Sequence, residues 1–126
     1  MLTPQQLVAE AKAQILEVDV LTAVEWIAAG VAVVDVREEF EFLTGSLPGA
    51  AHISRGVLEF KTNDHPALLD KQAKILVYCR TGGRSALAAH SLKRLGYTQA
   101  VSMAGGYVAW VAHHESVAEG KSDFGG

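Results

Sequence analysis

The stretch Ile75-Leu76-Val77-Tyr78-Cys79-Arg80-Thr81-Gly82-Gly83-Arg84-Ser85 constrains the fold of this chain more than any other. Four apolar residues in a row suit a strand buried on both faces of a parallel sheet. The sequence from Ser85 to Leu95 then predicts a helix, with Ala88, Leu92 and Leu95 on one stripe, Lys93 and Arg94 in its last turn and Gly96 as its stop. A strand, a short glycine-containing loop and a helix in this order form half of a βαβ unit, and they place Cys79 at the carboxyl end of a strand. Open α/β sheets bind ligands at those ends.

That position has chemical consequences. Helix N-termini attract anions through unpaired N–H groups, and Gly82 and Gly83 allow the loop to curl its amides inward as an anion nest. Arg80 and Arg84 add two permanent charges, so the surroundings favour a thiolate, the nucleophilic form of cysteine. A lone buried cysteine is more often a small hydrophobe. Two arginines and two glycines beside a core thiol serve no packing purpose, however, which favours a working nucleophile at Cys79 with Arg80, Thr81, Gly82, Gly83, Arg84 and Ser85 around its substrate.

Three further pieces stand in order around this loop: Asp35-Val36-Arg37-Glu38, Gly45-Ser46-Leu47-Pro48-Gly49-Ala50 and Gly105-Gly106-Tyr107-Val108-Ala109-Trp110. With the loop, they make the chain resemble a single-domain rhodanese over most of its length. The resemblance implies a sulfurtransferase whose loop cysteine carries a persulfide within a six-residue cradle. Asp35 and Arg37 close a strand and could be catalytic or an ion pair holding neighbouring loops. The resemblance favours the ion pair, with Arg37 supporting the cysteine loop. Rhodaneses commonly have Gly-His-Ile-Pro-Gly-Ala where this chain has Ser46 in place of the histidine, and Ser54 stands where a proline often follows the strand.

The totals bound the class. At 126 residues the chain has the size of one domain, expected to span 1–126 with a frayed tail from about 116, and it can bury a core without disulfides or metals. A net charge of −3 with no clustered basic face argues against a nucleic-acid binder. One cysteine cannot form an internal disulfide, which suits a reducing compartment. The amino terminus lacks the pattern of a secretory signal, and no apolar run approaches the roughly 18 residues of a membrane span. A cytoplasmic protein with no membrane partner is expected.

Thr3, Pro4 and Gln6 predict a capped helix running to about Leu16, with Leu7, Val8, Ala11 and Ile15 packed on the domain. Val18 to Val20 reads as a short strand, Ala23 to Ala29 as a helix stopped by Gly30 with Trp26 as core filler, and Val31 to Val36 as a central parallel strand. Glu38 to Leu43 suits a short helix whose acids form a solvated face. Ala50 to Ile53 is a strand, Val57 to Lys61 a helical turn, and Arg55 a surface cation within possible reach of an anionic substrate. Thr62 to Lys71 is a loop with a brief helix. Ala100 to Met103 gives the last strand, followed by a glycine turn and a helix over Tyr107 to His113 on which Trp110 packs against the sheet. His52, His65, His90, His113 and His114 show no zinc-binding spacing, so neither a metal nor another cofactor is expected beyond the persulfide itself. The terminal Gly125-Gly126 is similar to the end of a ubiquitin-like carrier, but the rest of the chain does not read as one.

The expected fold is a single rhodanese-like α/β domain with a parallel sheet of about five strands and helices on both faces. The expected function is transfer of sulfane sulfur from a small anionic donor such as thiosulfate to cyanide or a cellular thiol, including a protein thiol. Two alternatives stay open. Related folds use a loop cysteine to hydrolyse phosphate esters, and some rhodanese-like modules only bind partner proteins.

Overall fold

Residues 75–78 lie wholly out of solvent at the centre of the molecule, in the computed structural model of this chain, which describes residues 1–118. Five strands form one all-parallel sheet: β1 (Leu16–Val18), β2 (Ala32–Asp35), β3 (Ala51–His52), β4 (Ile75–Tyr78) and β5 (Ala100–Met103), in spatial order β1-β5-β4-β2-β3. Strand β4 is the middle one, between β2 and β5. Its unbroken apolar sequence follows from that place, because both of its faces are covered.

Successive side chains of β4 feed two separate cores. Ile75, Val77 and Cys79 point to the face that carries Val34, Val36, Leu58, Ala88, Ala89, Leu92 and Tyr97. Leu76 and Tyr78 point to the opposite face, with Ala23, Val33, Leu47, Met103 and Trp110. Helices α1 (Pro4–Lys12) and α4 (Gly83–Arg94) lie against one another on the first side, while α2 (Val20–Ala28) and α5 (Gly106–Ala118) pair on the second. The short α3 (Glu39–Leu43) follows β2, and 3-10 turns cover Arg55–Lys61 and Pro66–Leu68. Burying each large aliphatic side chain stabilises the fold by about 1.5 to 3 kcal/mol. This parity puts the thiol on the α4 side of the sheet and the Tyr78 ring on the α5 side.

Several sequence boundaries move. The Thr3 capping box is present, but α1 ends at Lys12 rather than near Leu16, because Leu16 to Val18 pair with Val101 to Met103 of β5. Val20 is not in a strand: Asp19 caps α2 by accepting the Thr22 N–H at 2.9 Å, so that helix starts three residues before Ala23. Leu95 leaves the α4 stripe, being its C-cap and exposed; the buried Tyr97 fills that space and donates its hydroxyl to the carbonyl of Leu68 at 2.5 Å. Trp26 is only partly buried, at the rim of its core, with Lys74 Nζ 4.3 Å from its ring centre. Helix α5 runs past Ser116 to Ala118, and the rest of the tail, with Gly125-Gly126, lies outside the described residues.

Candidate active site

The loop after β4 is built from backbone. Helix α4 begins at Gly83, two residues earlier than the sequence suggested, which makes Gly82 its N-cap and brings Ser85 into its first turn. Gly82 has φ +117°, a conformation open to glycine and strained for any side chain. Through it the chain doubles back, so that the Gly82 N–H points at Cys79 Sγ at 3.1 Å and the Ser85 N–H at 3.3 Å. The Ser85 hydroxyl lies 3.4 Å from the same sulfur. These are N–H groups that the first turn of a helix leaves without carbonyl partners, and the sulfur sits where the helix dipole favours negative charge. Cys79 itself is 1% exposed.

The loop is held from the other side by α5. Tyr107 N–H donates to the Cys79 carbonyl at 2.8 Å and Val108 N–H to the Arg80 carbonyl at 3.1 Å. Gly106 makes this docking possible: with φ +55°, a Cβ placed on it would lie 2.5 Å from both of those carbonyl oxygens. The Gly105-Gly106 pair is therefore more than the tight turn its sequence suggests. It is the point where a second helix N-terminus grips the cysteine loop.

The two loop arginines differ. Arg80 and Thr81 are exposed, and Arg80 makes no ion pair among the described residues. Arg84 sits in the first turn of α4 and reaches across to α3, where Nη1 and Nη2 donate to Glu41 Oε1 and Oε2 at 2.7 and 3.1 Å. The Arg84 hydrogen bonds are the main reason that the Glu41 carboxyl is held down at about 2 against an ordinary 4.5. Glu41 is thus no member of a solvated face: its side chain is 14% exposed, and its Oε1 also accepts the Glu38 N–H at 3.0 Å. No local pattern reveals this pair, since its members stand 43 residues apart.

Asp35 and Arg37 are brought together as an ion pair, on the opposite face from the thiol. Arg37 Nη2 donates to Asp35 Oδ2 at 2.7 Å and to the Gly45 carbonyl at 2.6 Å, and its Nε reaches Asp35 Oδ1 at 3.0 Å. The guanidinium lies beside both the Tyr78 and Tyr107 rings, 5.5 and 4.4 Å from their centres. Tyr78 completes the cluster by donating to Asp35 Oδ2 at 2.5 Å while accepting the Leu47 N–H at 3.1 Å. Burial first, and then the Asp35 hydrogen bond, raise the Tyr78 hydroxyl well above its ordinary range. Among the described residues Arg37 makes no hydrogen bond to the cysteine loop; it lies 4.4 Å from the ring of Tyr107, whose N–H holds the Cys79 carbonyl at 2.8 Å. Arg55 is committed to Glu59 at 2.8 Å.

Two groups escaped the sequence reading besides Glu41. Tyr78 reads as one more apolar strand residue, yet its hydroxyl joins β4 to the Asp35 pair. Ser102, wholly buried on β5, has its hydroxyl 2.8 Å from that of Ser85 beneath the sulfur. Its single signal is a polar residue at an inward position of an otherwise apolar strand. A cavity of about 570 Å³ lies beside the loop, lined by Arg80, Phe40, Tyr107, Val108 and Val111 among others.

A rhodanese-like domain model matches residues 10–113. The chain belongs to the rhodanese-like family. It is 30% identical over 84 residues to a thiosulfate sulfurtransferase, GlpE, of Coxiella burnetii, a match covering 67% of this chain and 75% of that one. Of longer curated relatives it spans only 22% or 43%. A human single-domain sulfurtransferase superposes with a TM-score of 0.71 at 27% identity, over 76% of this chain and 95% of that one. A Rhodopseudomonas palustris protein of unknown function, described as a possible tyrosine phosphatase, superposes with a TM-score of 0.84 at 28% identity, over 90% and 92%. The family and the five-stranded parallel α/β architecture agree with the sequence reading.

Proposed function

We propose that this rhodanese-like domain transfers sulfane sulfur through a persulfide on Cys79. The observation that carries the reading is the convergence of two backbone N–H groups, at 3.1 and 3.3 Å, on a single thiol at a helix N-terminus. Donors fixed in that geometry stabilise negative charge on sulfur without having to reorganise. In the first step the Cys79 thiolate attacks the outer sulfur of an anionic donor such as thiosulfate. The donor's S–S bond breaks, its electron pair leaves on sulfite, and the new Cys79 S–S bond ends in a terminal sulfur anion within reach of the loop amides from Arg80 to Ser85. In the second step cyanide or a thiolate takes that outer sulfur and the electron pair of the S–S bond returns to Cys79. The scheme is two-step covalent catalysis with ping-pong kinetics, and it needs no added cofactor. Sulfite leaves as a stable anion and requires no proton.

The possible-phosphatase description of one structural neighbour makes hydrolysis of phosphate esters the second reading. Loop length and proton supply count against it. Cysteine phosphatases resemble a Cys-x5-Arg pattern, in which a wider loop surrounds the phosphoryl group and the closing arginine clamps two oxygens. Here the arginine comes one position early, at Arg84, it is already paired with Glu41, and Ser85 occupies the phosphatase position. An alkoxide leaving group needs a general acid. The carboxyl that meets the loop through Arg84, Glu41, is held ionised well below neutral pH by that arginine.

Incubation with thiosulfate followed by intact mass measurement separates the readings. Sulfur transfer gives a mass gain of one sulfur that disappears with cyanide or dithiothreitol, and negligible release from an aryl phosphate. Cys79-dependent phosphate turnover without persulfide formation reverses the order.

A further inference from the structure

The charges around the thiol are largely cancelled before a donor arrives. Of the three guanidinium groups near the loop, Arg37 is paired with Asp35 and Arg84 with Glu41, each through more than one hydrogen bond. Glu41 cannot swing off Arg84 freely, because Oε1 also accepts the Glu38 N–H and so belongs to the capping box of α3. Arg80 is the one guanidinium of the three with no ion pair among the described residues. A Cys79 thiolate balances that remaining charge, so the donor's own charge falls on the loop amides. One negative charge suits such a site. A second one meets no further unpaired side-chain cation among the described residues, in a poorly solvated place where like charges interact strongly. The carboxylates of Glu38 and Glu115 are exposed and largely screened by water, and they add nothing in favour of a dianion.

The cavity shared with Arg80 points the same way. Part of its wall, Phe40, Val108 and Val111, is apolar beside the charged Arg37, Glu41 and Glu115, and Phe40 and Val108 are 71% and 50% exposed, surface that gains from being covered. Thiosulfate has no apolar part to place there.

We propose that Glu41 is a specificity-determining residue: by neutralising Arg84 it turns the cysteine loop toward singly charged organic donors, thiosulfonates and organic persulfides, and away from dianions such as thiosulfate. The assignment rests on the sulfur-transfer reading. With a thiosulfonate, R–SO2–S⁻, the Cys79 thiolate attacks the terminal sulfur. The bond between the two donor sulfurs breaks, the sulfinate R–SO2⁻ leaves with the electron pair, and Cys79 keeps the transferred sulfur as its persulfide anion. Atoms and charge balance without another reactant.

The test compares kcat/KM for benzenethiosulfonate and thiosulfate at one ionic strength, with cyanide as acceptor. The wild-type protein prefers benzenethiosulfonate. Glu41→Gln, which keeps the shape and removes the charge, raises the thiosulfate-to-thiosulfonate ratio by about tenfold. Glu41→Asp, which keeps the charge, leaves that ratio near its wild-type value. Arg84→Gln strips the cation beside Glu41 and moves the ratio in the opposite direction, which keeps the test alive if Glu41→Gln folds poorly. An unchanged ratio in Glu41→Gln, with both donors slowed alike, means that Glu41 only braces α3 against α4 and overturns the assignment alone. Failure of either donor to load sulfur onto wild-type Cys79 overturns the transfer reading, and the donor preference with it.

Discussion

At the carboxyl ends of this sheet's central strands, its two faces are built from opposite materials. On the α5 face, Asp35, Arg37 and Tyr78 form a cluster of side chains that satisfy one another and the Gly45 carbonyl, with Asp35 wholly buried and Arg37 3% exposed. On the α4 face, adjacent in sequence to Tyr78, the Cys79 sulfur is met by main-chain N–H groups and a serine hydroxyl. The first cluster is closed: its charges cancel and nothing in it is left to bind. The second is open in the electrostatic sense, with its donors aimed at an atom that can gain negative charge. A charged group at a strand's carboxyl end is therefore no guide to catalysis until its partner is known.

The sharpest way to break this comparison is to exchange the atom at which the amides point. Cys79→Ser changes one atom in a buried place and should leave the thermal midpoint near that of the wild type while abolishing persulfide formation and turnover. Retention of most thiosulfate:cyanide activity by that variant would falsify the assignment of Cys79 as sulfur carrier.

The closed cluster should show the reverse pattern. Removing one member of a buried ion pair strands the other charge and costs about 3 to 5 kcal/mol. Asp35→Asn and Arg37→Ala are therefore expected to lower stability by that order in denaturant unfolding, with turnover per folded molecule much less affected. If either variant unfolds like the wild type yet loses sulfur transfer, Arg37 acts on the reaction itself and the contrast between the two faces is wrong.

That contrast also explains what could be read from the sequence. The strand, loop and helix around Cys79 were legible because their signals are local: an apolar run, glycines at the turn and a 3.6-residue stripe. Asp35 and Arg37 stand two residues apart and could be paired on paper. Glu41 and Arg84 could not, because α3 meets the first turn of α4 only when β2 and β4 lie side by side. The helix start at Gly83 was missed for a physical reason as well, since Gly82 supplies the cap by its backbone conformation and offers no side chain of the usual capping type. Gly106 looked like a turn residue because nothing in the sequence places the Cys79 and Arg80 carbonyls against it.

The arginines sharpen the comparison further, since Arg80 makes no ion pair among the described residues and Arg84 is closed into one. A charge-assisted contact is worth about 1.5 to 3 kcal/mol, so Arg80→Ala should lower kcat/KM for an anionic donor by roughly ten- to a hundredfold. The sequence alone puts Arg84 beside the substrate on the same footing as Arg80. With Arg84 already holding Glu41, its replacement by alanine should act less through lost donor binding than through the freed Glu41 carboxylate. Equal effects of Arg80→Ala and Glu41→Gln/Arg84→Gln on a neutral alkylating agent and on an anionic one would show that neither site works through charge.

The smallest expected effect is on stability at acid pH, and it isolates the Glu41 pair from the chemistry. Glu41 has a folded-state value of about 2 against an ordinary 4.5, chiefly because Arg84 donates to its ionised form. Between those values the unfolded chain binds the proton more readily than the folded one, so stability falls as the pH drops through that window. The contribution is fully present above about 4.5 and is gone below about 2. Glu41→Gln has no carboxyl to protonate there. The stability difference between wild type and Glu41→Gln, followed by urea unfolding from neutral pH downward, should hold steady to about 4.5 and then shrink toward 2. Arg84→Gln should abolish most of this pH dependence while leaving that of the other carboxyls in place. A difference that stays flat across the window would mean that the carboxylate gains little from the guanidinium in solution, and the pair would then be a weak surface contact rather than the fixed neutraliser beside the thiol.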